Sequence, residues 1–348
     1  MTTRDIIVVG ASSGGVPALK AFVNNLPKDF KGSVFIVLHI PTYTESRLPE
    51  ILSNAGPLEA VHPGDGEEIE PGKIYIARND HHLLLQEGKV MVKRGPKENR
   101  FRPSIDALFR SAAYVYSTRV VGIIMSGILN DGASGLWTIK EMGGLAIVQL
   151  PDDAEQPQLP INVLELVEAD YVLTAEDMGP LISGLIKEPI PEKYKFSEEA
   201  LRRLKTEVII ATKDDAFEMG IMEMGELTPF TCPECHGALV RLVEGKIIRF
   251  RCHTGHAYTA SSLLAEVSES VEKMLWQSMR GLEEMNMLLK NISDHFAELE
   301  DSASAALFRE KAEESGERAR VIHDSIFKQN HYSEDIRLDK DKKTHDHD

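Results

Sequence analysis

The chain is poor in cysteine, in basic charge and in long apolar runs, and each shortage closes off a class of function. Its 348 residues hold only three cysteines, all between positions 232 and 252, so no disulfide framework is implied. Lysine and arginine number 39 against 55 acidic residues. The resulting formal net charge of −16 argues against nucleic acid or anionic lipid as the principal partner. No apolar stretch approaches the roughly 20 residues of a membrane helix. The start, MTTRDIIVVG, lacks the pattern of a signal peptide. What remains is an ordinary soluble composition, 42% hydrophobic and 27% charged, in a chain long enough for more than one domain. The expectation is a cytoplasmic, multidomain protein with no direct membrane insertion.

From residue 5 to about 187, strand-like runs alternate with helical patterns. Strands are expected at Ile6–Val9, Val34–His39, Lys73–Ile76, Leu83–Gln86, Lys89–Val92, Val120–Met125, Leu145–Val148 and Tyr171–Leu173. Helices are expected to begin near Gly15, Arg47, Ser104, Gly132, Asn162 and Met178. Uninterrupted apolar strands such as VFIVLH and VVGIIM suit a parallel sheet covered on both faces. The pair LLLQ-EGK-VMV breaks the alternation and reads as a β-hairpin. Residues 1–190 therefore read as a doubly wound α/β domain with a hairpin insertion. The charged, proline-punctuated stretch 191–228 reads as a linker or strap. A short cysteine-bearing module follows at 229–260. Residues 261–330 carry apolar positions at 3-4 spacing, interrupted at Asp301-Ser302, and predict an antiparallel helical hairpin. The tail, 331–348, is too polar to fold.

The turn after the first strand, Gly10-Ala11-Ser12-Ser13-Gly14-Gly15, admits two readings. A dinucleotide site would want Gly-x-Gly-x-x-Gly there and an acidic residue ending the next strand, and neither is present. Gly10 to Gly14 instead fits Gly-x-Ser-x-Gly, which exposes a serine at a strained strand-to-helix turn. Backbone amides at the start of the following helix then face a developing oxyanion. His39 ends the second strand, and Asp131 follows the strand VVGIIM, so Ser, His and Asp all stand at carboxyl ends of one sheet. A carboxylate beside an imidazole fixes its tautomer and stabilises the imidazolium formed when it takes a serine proton. Each residue alone has a bland reading, as a satisfied strand-end side chain or a helix cap. The three together favour Ser12 as nucleophile, with Ser13 supporting the turn. The chain order Ser…His…Asp is not that of α/β-hydrolases.

With these residues in view, the chain resembles the catalytic domain of the chemotaxis-type protein-glutamate methylesterases, the CheB family. The resemblance covers roughly residues 5–187 and rests on VVGASSGGVPAL, VLHIP, PGKIYIARNDHHLLL, NRFRPSIDALFRSAA, SGILNDGASGL and EAD-YVLT. It implies Ser12 as nucleophile, His39 as general base and Asp131 as its orienting acid, with backbone amides of Ser13 and Ile128 at the oxyanion. It also implies hydrolysis of glutamate γ-methyl esters on cytoplasmic helices of a methylated receptor, and the related deamidation of glutamine. Two departures stand out. Ile6 opens the first strand almost at the initiator methionine, so a preceding receiver domain is not expected. A segment usually written Gly-Met-Gly is Gly127-Ile128-Leu129 here. Arg100 and Arg102 are candidates for binding acidic substrate groups or, equally, for tying down their own loop in ion pairs. His81 and His82 read as packing residues rather than metal ligands.

Cys232, Cys235, Cys252 and His256 follow the spacing Cys-x2-Cys-x16-Cys-x3-His, four soft or borderline ligands from two knuckles. That pattern predicts a zinc-ribbon-like module with a closed, structural zinc site, and His236 and His253 stand close enough to compete for the fourth position. No cofactor is expected for catalysis. The module and hairpin resemble C-terminal extensions of some receiver-less methylesterase relatives, which implies partner docking or homodimer formation. The competing account is a non-catalytic signalling scaffold on an esterase fold, acting through its C-terminal half. A nucleotide-binding protein is disfavoured because His39 stands where a ribose-binding acid belongs.

Overall fold

The computed structural model describes residues 3–40, 46–128, 130–190, 197–213 and 220–328. It divides into two compact units, Met1–Leu263 and Leu264–Asp348. In the first, strands β1 (Ile6–Ala11) and β2 (Ser33–Leu38) are followed by β3 (Glu59–Val61) and β4 (Lys73–Ile76). An antiparallel hairpin, β5 (His82–Gln86) and β6 (Lys89–Lys93), comes next. Strands β7 (Val120–Ile124), β8 (Leu145–Gln149) and β9 (Tyr171–Leu173) complete a seven-stranded parallel sheet of order β3-β4-β2-β1-β7-β8-β9. The helices are α1 (Gly15–Asn24), α2 (Leu48–Ala55), α3 (Ile105–Tyr116), α4 (Ala133–Glu141), α5 (Gln158–Leu166), α6 (Ala175–Leu185) and α7 (Glu198–Lys213).

The period-2 alternation of strand side chains explains the two layers of helix. Ile7 and Val9 of β1 join Leu19 of α1, Leu52 of α2 and Ile182 of α6 in one core. Ile6 and Val8 join Leu108 of α3, Leu136 of α4 and Val163 of α5 in the other. Every residue of β1 and β2 is buried, as a parallel sheet covered on both faces requires. The sheet is thus doubly wound, and the hairpin insertion is present.

Two elements depart from the expected layout. β3 is only three residues, one of them buried, so no apolar run marks it. The stretch expected as a linker or strap carries α7, whose Leu204 and Val208 pack into the α3–α5 core. Parts of that stretch, 191–196 and 214–219, lie outside the described residues, as does the tail from 329.

A second, antiparallel sheet belongs to the same compact unit: β10 (Glu226–Thr231), β11 (Ala238–Glu244), β12 (Ile247–Cys252) and β13 (Ala257–Thr259). It joins the α/β part through apolar contacts, Ile247 of β12 in the α3–α5 core and Val240 of β11 against Ile210 of α7, and through a network of buried charges. Arg251 bonds Glu98 at 2.7 Å and also Glu207 of α7. Arg249 bonds Glu244 at 2.8 Å and Glu207 at 3.2 Å. Arg110 of α3 pairs with Glu98 and bonds Ser134 at 3.0 Å. Each of these six charged side chains is almost wholly buried, so each depends on its partners for the hydration it has lost.

In the second unit, α8 (Ala260–Glu298, from Leu264 onward) and α9 (Ser302–Lys328) contact each other in antiparallel register. Asn286 donates to the Ala312 carbonyl at 2.5 Å, Ser293 to Ala305 at 2.7 Å and the Ser315 hydroxyl to Leu282 at 2.8 Å. Asp301 caps the new helix, accepting from the Ser304 amide at 3.1 Å. Among the described residues, no helix is long and apolar enough to cross a membrane.

Candidate active site

Three neighbouring strands end side by side in the order β2-β1-β7. Their register pairs Ala11 with Leu38 and Gly10 with Ile124, so the residues that follow leave the sheet together. Ser12 comes directly after β1, and its amide donates to the Ser126 carbonyl at 2.9 Å. Gly14 adopts φ +70°, a left-handed turn that starts α1 and that a side chain would strain. Ser12 is 7% exposed, and a Cβ on Gly127 would stand 2.9 Å from its own Cβ. Only glycine at 127 leaves room beside that hydroxyl. Ser13 is exposed, its carbonyl accepting from the Ser126 hydroxyl at 3.0 Å.

His39 follows β2, its amide bonded to the Ala11 carbonyl at 3.1 Å. Its ring lies flat on Phe101, with centroids 3.7 Å apart. Nε2 meets Asp131 Oδ2 at 2.9 Å, while Nδ1 is buried and has no hydrogen-bond partner among the described residues. One nitrogen is therefore held by a carboxylate.

Asp131 sits on the N-terminus of α3, where unpaired amides and the helix dipole favour a negative charge. Oδ2 accepts from the Ile105 amide at 2.6 Å. Oδ1 accepts from the Ser104 hydroxyl and the Asn99 side chain, both at 2.9 Å. Burial pushes this carboxyl up, but the bonds from His39, Asn99 and Ile105 outweigh it and hold the group below its ordinary value. Its neighbour Asp106 goes the other way. Burial, then the Asp131 charge, raises Asp106 to about 8, so two adjacent carboxyls are driven apart in proton affinity. Asp106 accepts from the amides of Gly132 at 3.0 Å and Gly135 at 2.6 Å and thereby ties α3 to the start of α4.

The other candidates fall in different places. Ile128 is half-buried beyond Gly127, whose amide bonds the Gln156 carbonyl at 2.9 Å, and Leu129 lies outside the described residues. Arg102 is committed to its own loop, bonding Asp80 at 2.6 Å and the Gly95 carbonyl at 2.8 Å. Arg100 is half-buried with φ 76°. His82 is fully buried and packs as a neutral ring, accepting from the Ser104 amide at 3.2 Å and donating to the Pro96 carbonyl at 2.9 Å. Burial lowers its pKa to about 4, which keeps it neutral. Asn99, Phe101 and Ser104 frame the His39–Asp131 pair, yet a neutral amide, an aromatic ring and a hydroxyl carry no motif that singles them out.

Cys232, Cys235, Cys252 and His256 bring their ligand atoms within 4.8 Å of one another. Cys235 Sγ and Cys252 Sγ are 3.6 Å apart, and His256 Nδ1 is 3.6 Å from each of Cys232 Sγ and Cys252 Sγ. A tetrahedral ion with bonds of about 2.0–2.3 Å needs ligand–ligand edges near 3.5–3.8 Å. The cluster therefore fits a metal ion. The far side of the His256 ring, Nε2, faces Glu234 at 3.7 Å, the carboxylate–imidazole arrangement common behind metal-bound histidine. His253 packs its ring over Gly237 instead.

The family model for CheB methylesterase matches residues 7–182, just over half of the chain. The chain belongs to the CheB methylesterase family. Its enzyme class is accordingly that of a methylesterase, a carboxylic ester hydrolase. It is 37% identical over 182 residues to a putative protein-glutamate methylesterase/protein-glutamine glutaminase of Leptospira interrogans, covering 52% of this chain and 94% of that one. It is 35% identical over 174 residues to the protein-glutamate methylesterase/protein-glutamine glutaminase of Thermotoga maritima, covering 49% of this chain and 51% of that one. Among solved structures, the crystal structure of the Thermotoga maritima CheB methylesterase catalytic domain superposes with a TM-score of 0.51 at 32% identity. It covers 53% of this chain and all of that one. The CheB match ends before the antiparallel sheet with its cysteines and before the α8–α9 pair.

Proposed function

We propose that this chain hydrolyses γ-methyl esters of glutamate on the cytoplasmic helices of a methylated receptor, with Ser12, His39 and Asp131 as its catalytic set. The observation that carries this reading is the 2.9 Å bond between His39 and Asp131, at strand ends that flank the turn presenting Ser12. Ser12 Oγ attacks the ester carbonyl as its proton passes to His39 Nδ1, the nitrogen with no other partner among the described residues. Asp131 holds the Nε2 proton and so stabilises the imidazolium that forms. The amides of Ser13 and Ile128 face the oxyanion of the tetrahedral intermediate. His39 then returns its proton to the departing methoxide, which leaves as methanol. Water attacks the acyl-enzyme as it gives a proton to the same nitrogen, which passes that proton to Ser12 Oγ as the acyl bond breaks and glutamate is freed. The same sequence on glutamine releases ammonia.

Cys232, Cys235, Cys252 and His256 would hold a structural zinc ion, because four protein ligands leave no position for a reacting water. The α8–α9 pair would serve docking or self-association, since Met274, Met287, Leu288, Val321 and Phe327 are exposed there. A fluorophosphonate probe followed by peptide mass mapping tests the catalytic reading. Adduct on the peptide carrying Ser12, lost in Ser12→Ala, is expected. Absence of adduct, or adduct that persists in Ser12→Ala, contradicts it.

A further inference from the structure

Asn99 is 3% exposed, and its side-chain amide is fully used in two directions. The nitrogen donates to Asp131 Oδ1 and to Asp106 Oδ2, both at 2.9 Å. The oxygen accepts from the Thr259 amide at 2.8 Å and from the Ser262 hydroxyl at 3.0 Å. One end thus lies on the two carboxyls of the α/β part, and the other on the end of the cysteine-bearing sheet and the first turn of α8. Backbone bonds run alongside. The Asn99 amide donates to the Ala257 carbonyl at 2.7 Å, and the Ala257 amide to Lys97 at 3.2 Å. A second link joins Asn130, next to Asp131, to the Ser261 hydroxyl at 2.5 Å.

The loop so gripped touches both members of the proton-handling pair, since Phe101 stacks on His39 two residues after Asn99. Asn99 and Arg100 have φ 50° and 76°, left-handed conformations that non-glycine residues hold only when their surroundings impose them. Ala257 directly follows the metal-cluster residue His256, whose carbonyl accepts from the Cys252 amide at 3.0 Å.

We infer that Asn99 is a positioning residue, and that the end of the cysteine-bearing sheet and the first turn of α8, by holding it through Thr259 and Ser262, set the geometry of the His39–Asp131 pair. The inference rests on the reading of Asp131 as the acid that orients His39. An amide suits this position because it can donate to two carboxyls and accept two donors at once, which neither aspartate nor leucine can do. A metal ion in the cysteine cluster would stiffen residues 252–259 and, through them, the grip on Asn99.

The test uses the full chain with zinc content measured, and compares Ser262→Ala, Ser262→Thr and Asp131→Ala with wild type. Two readouts apply: the rate and affinity constants of fluorophosphonate labelling, and the downfield proton resonance of the His39 N–H that faces Asp131. Ser262→Ala is expected to slow the labelling step by about 3- to 10-fold, the effect of one hydrogen bond. Probe affinity should stay unchanged and the resonance should shift or broaden. Ser262→Thr, which keeps the hydroxyl, should restore both, and zinc removal by chelation should reproduce the Ser262→Ala result. Wild-type rate and resonance in Ser262→Ala and in the chelated chain, with Asp131→Ala impaired, overturn the inference alone. Wild-type labelling by Asp131→Ala overturns the reading on which it stands.

Discussion

His39 and Asp131 come from strands two places apart in the sheet and meet at 2.9 Å across the end of the strand between them, the one that leads into Ser12. In the proposed mechanism this bond fixes the imidazole in one tautomer and leaves Nδ1 for the serine proton. Asp131→Asn keeps the shape but offers His39 a donor or the wrong tautomer. On the analogy of other serine hydrolases, turnover should fall by on the order of 10⁴ with little change in KM. Steady-state methanol release measures both constants. A loss below tenfold would remove Asp131 from the catalytic set.

Asp106 provides a pH signature. Its folded pKa of about 8 stands above the ordinary 3.8, so the folded chain holds a proton that the unfolded chain has lost. Its contribution to stability is complete below about 4 and is lost as pH rises through about 8, with a slope of at most about 1.4 kcal/mol per pH unit. Asp131, shifted down, acts oppositely: its contribution is present above the ordinary carboxylate value and lost as pH falls through the folded one. Denaturant unfolding of wild type and Asp106→Asn at pH 5 and pH 8 separates the two. Wild type should lose more stability than the variant over that interval, and equal losses would contradict the assignment.

The buried arginines should dominate the attachment of the second sheet. Arg251→Met leaves Glu98 and Glu207 short of a partner in the interior and should destabilise the first unit by about 3–5 kcal/mol. Arg47→Ala removes an exposed pair with Glu50 and should cost at most about 1 kcal/mol. Urea unfolding of both variants checks the contrast, and similar losses would mean that the buried network is not what holds the sheet.

Metal binding is checked by counting. Native mass spectrometry should find one zinc ion per chain and none in Cys252→Ser, with a lower melting temperature for the metal-free chain. A metal-free wild-type chain with an unchanged melting temperature would contradict a structural site.

Much of this was legible in the sequence for a simple reason. Strands such as VFIVLH are apolar throughout because both faces are covered, and the residues ending three such strands are Ser12, His39 and the segment leading to Asp131. The attachment of the cysteine-bearing sheet was not legible. Arg249 and Arg251 alternate along β12 as an exposed polar face would, yet they are buried by Glu98 and Glu207 from distant parts of the chain. Glu207 hides α7 in the same way, because a buried carboxylate interrupts the apolar stripe that marks a helix face. Asn99 opens the segment NRFRPSIDALFRSAA, but nothing local marks its amide for this position. Its role exists only once the two sheets are assembled.

The central claim is that Ser12 is the nucleophile of a methylesterase. Its most direct test is methanol release from methylated receptor cytoplasmic fragments by wild type, Ser12→Ala and Ser13→Ala. The account predicts turnover by wild type, none by Ser12→Ala, and most of it retained by Ser13→Ala, whose side chain is exposed. Methanol release by Ser12→Ala at the wild-type rate would contradict it.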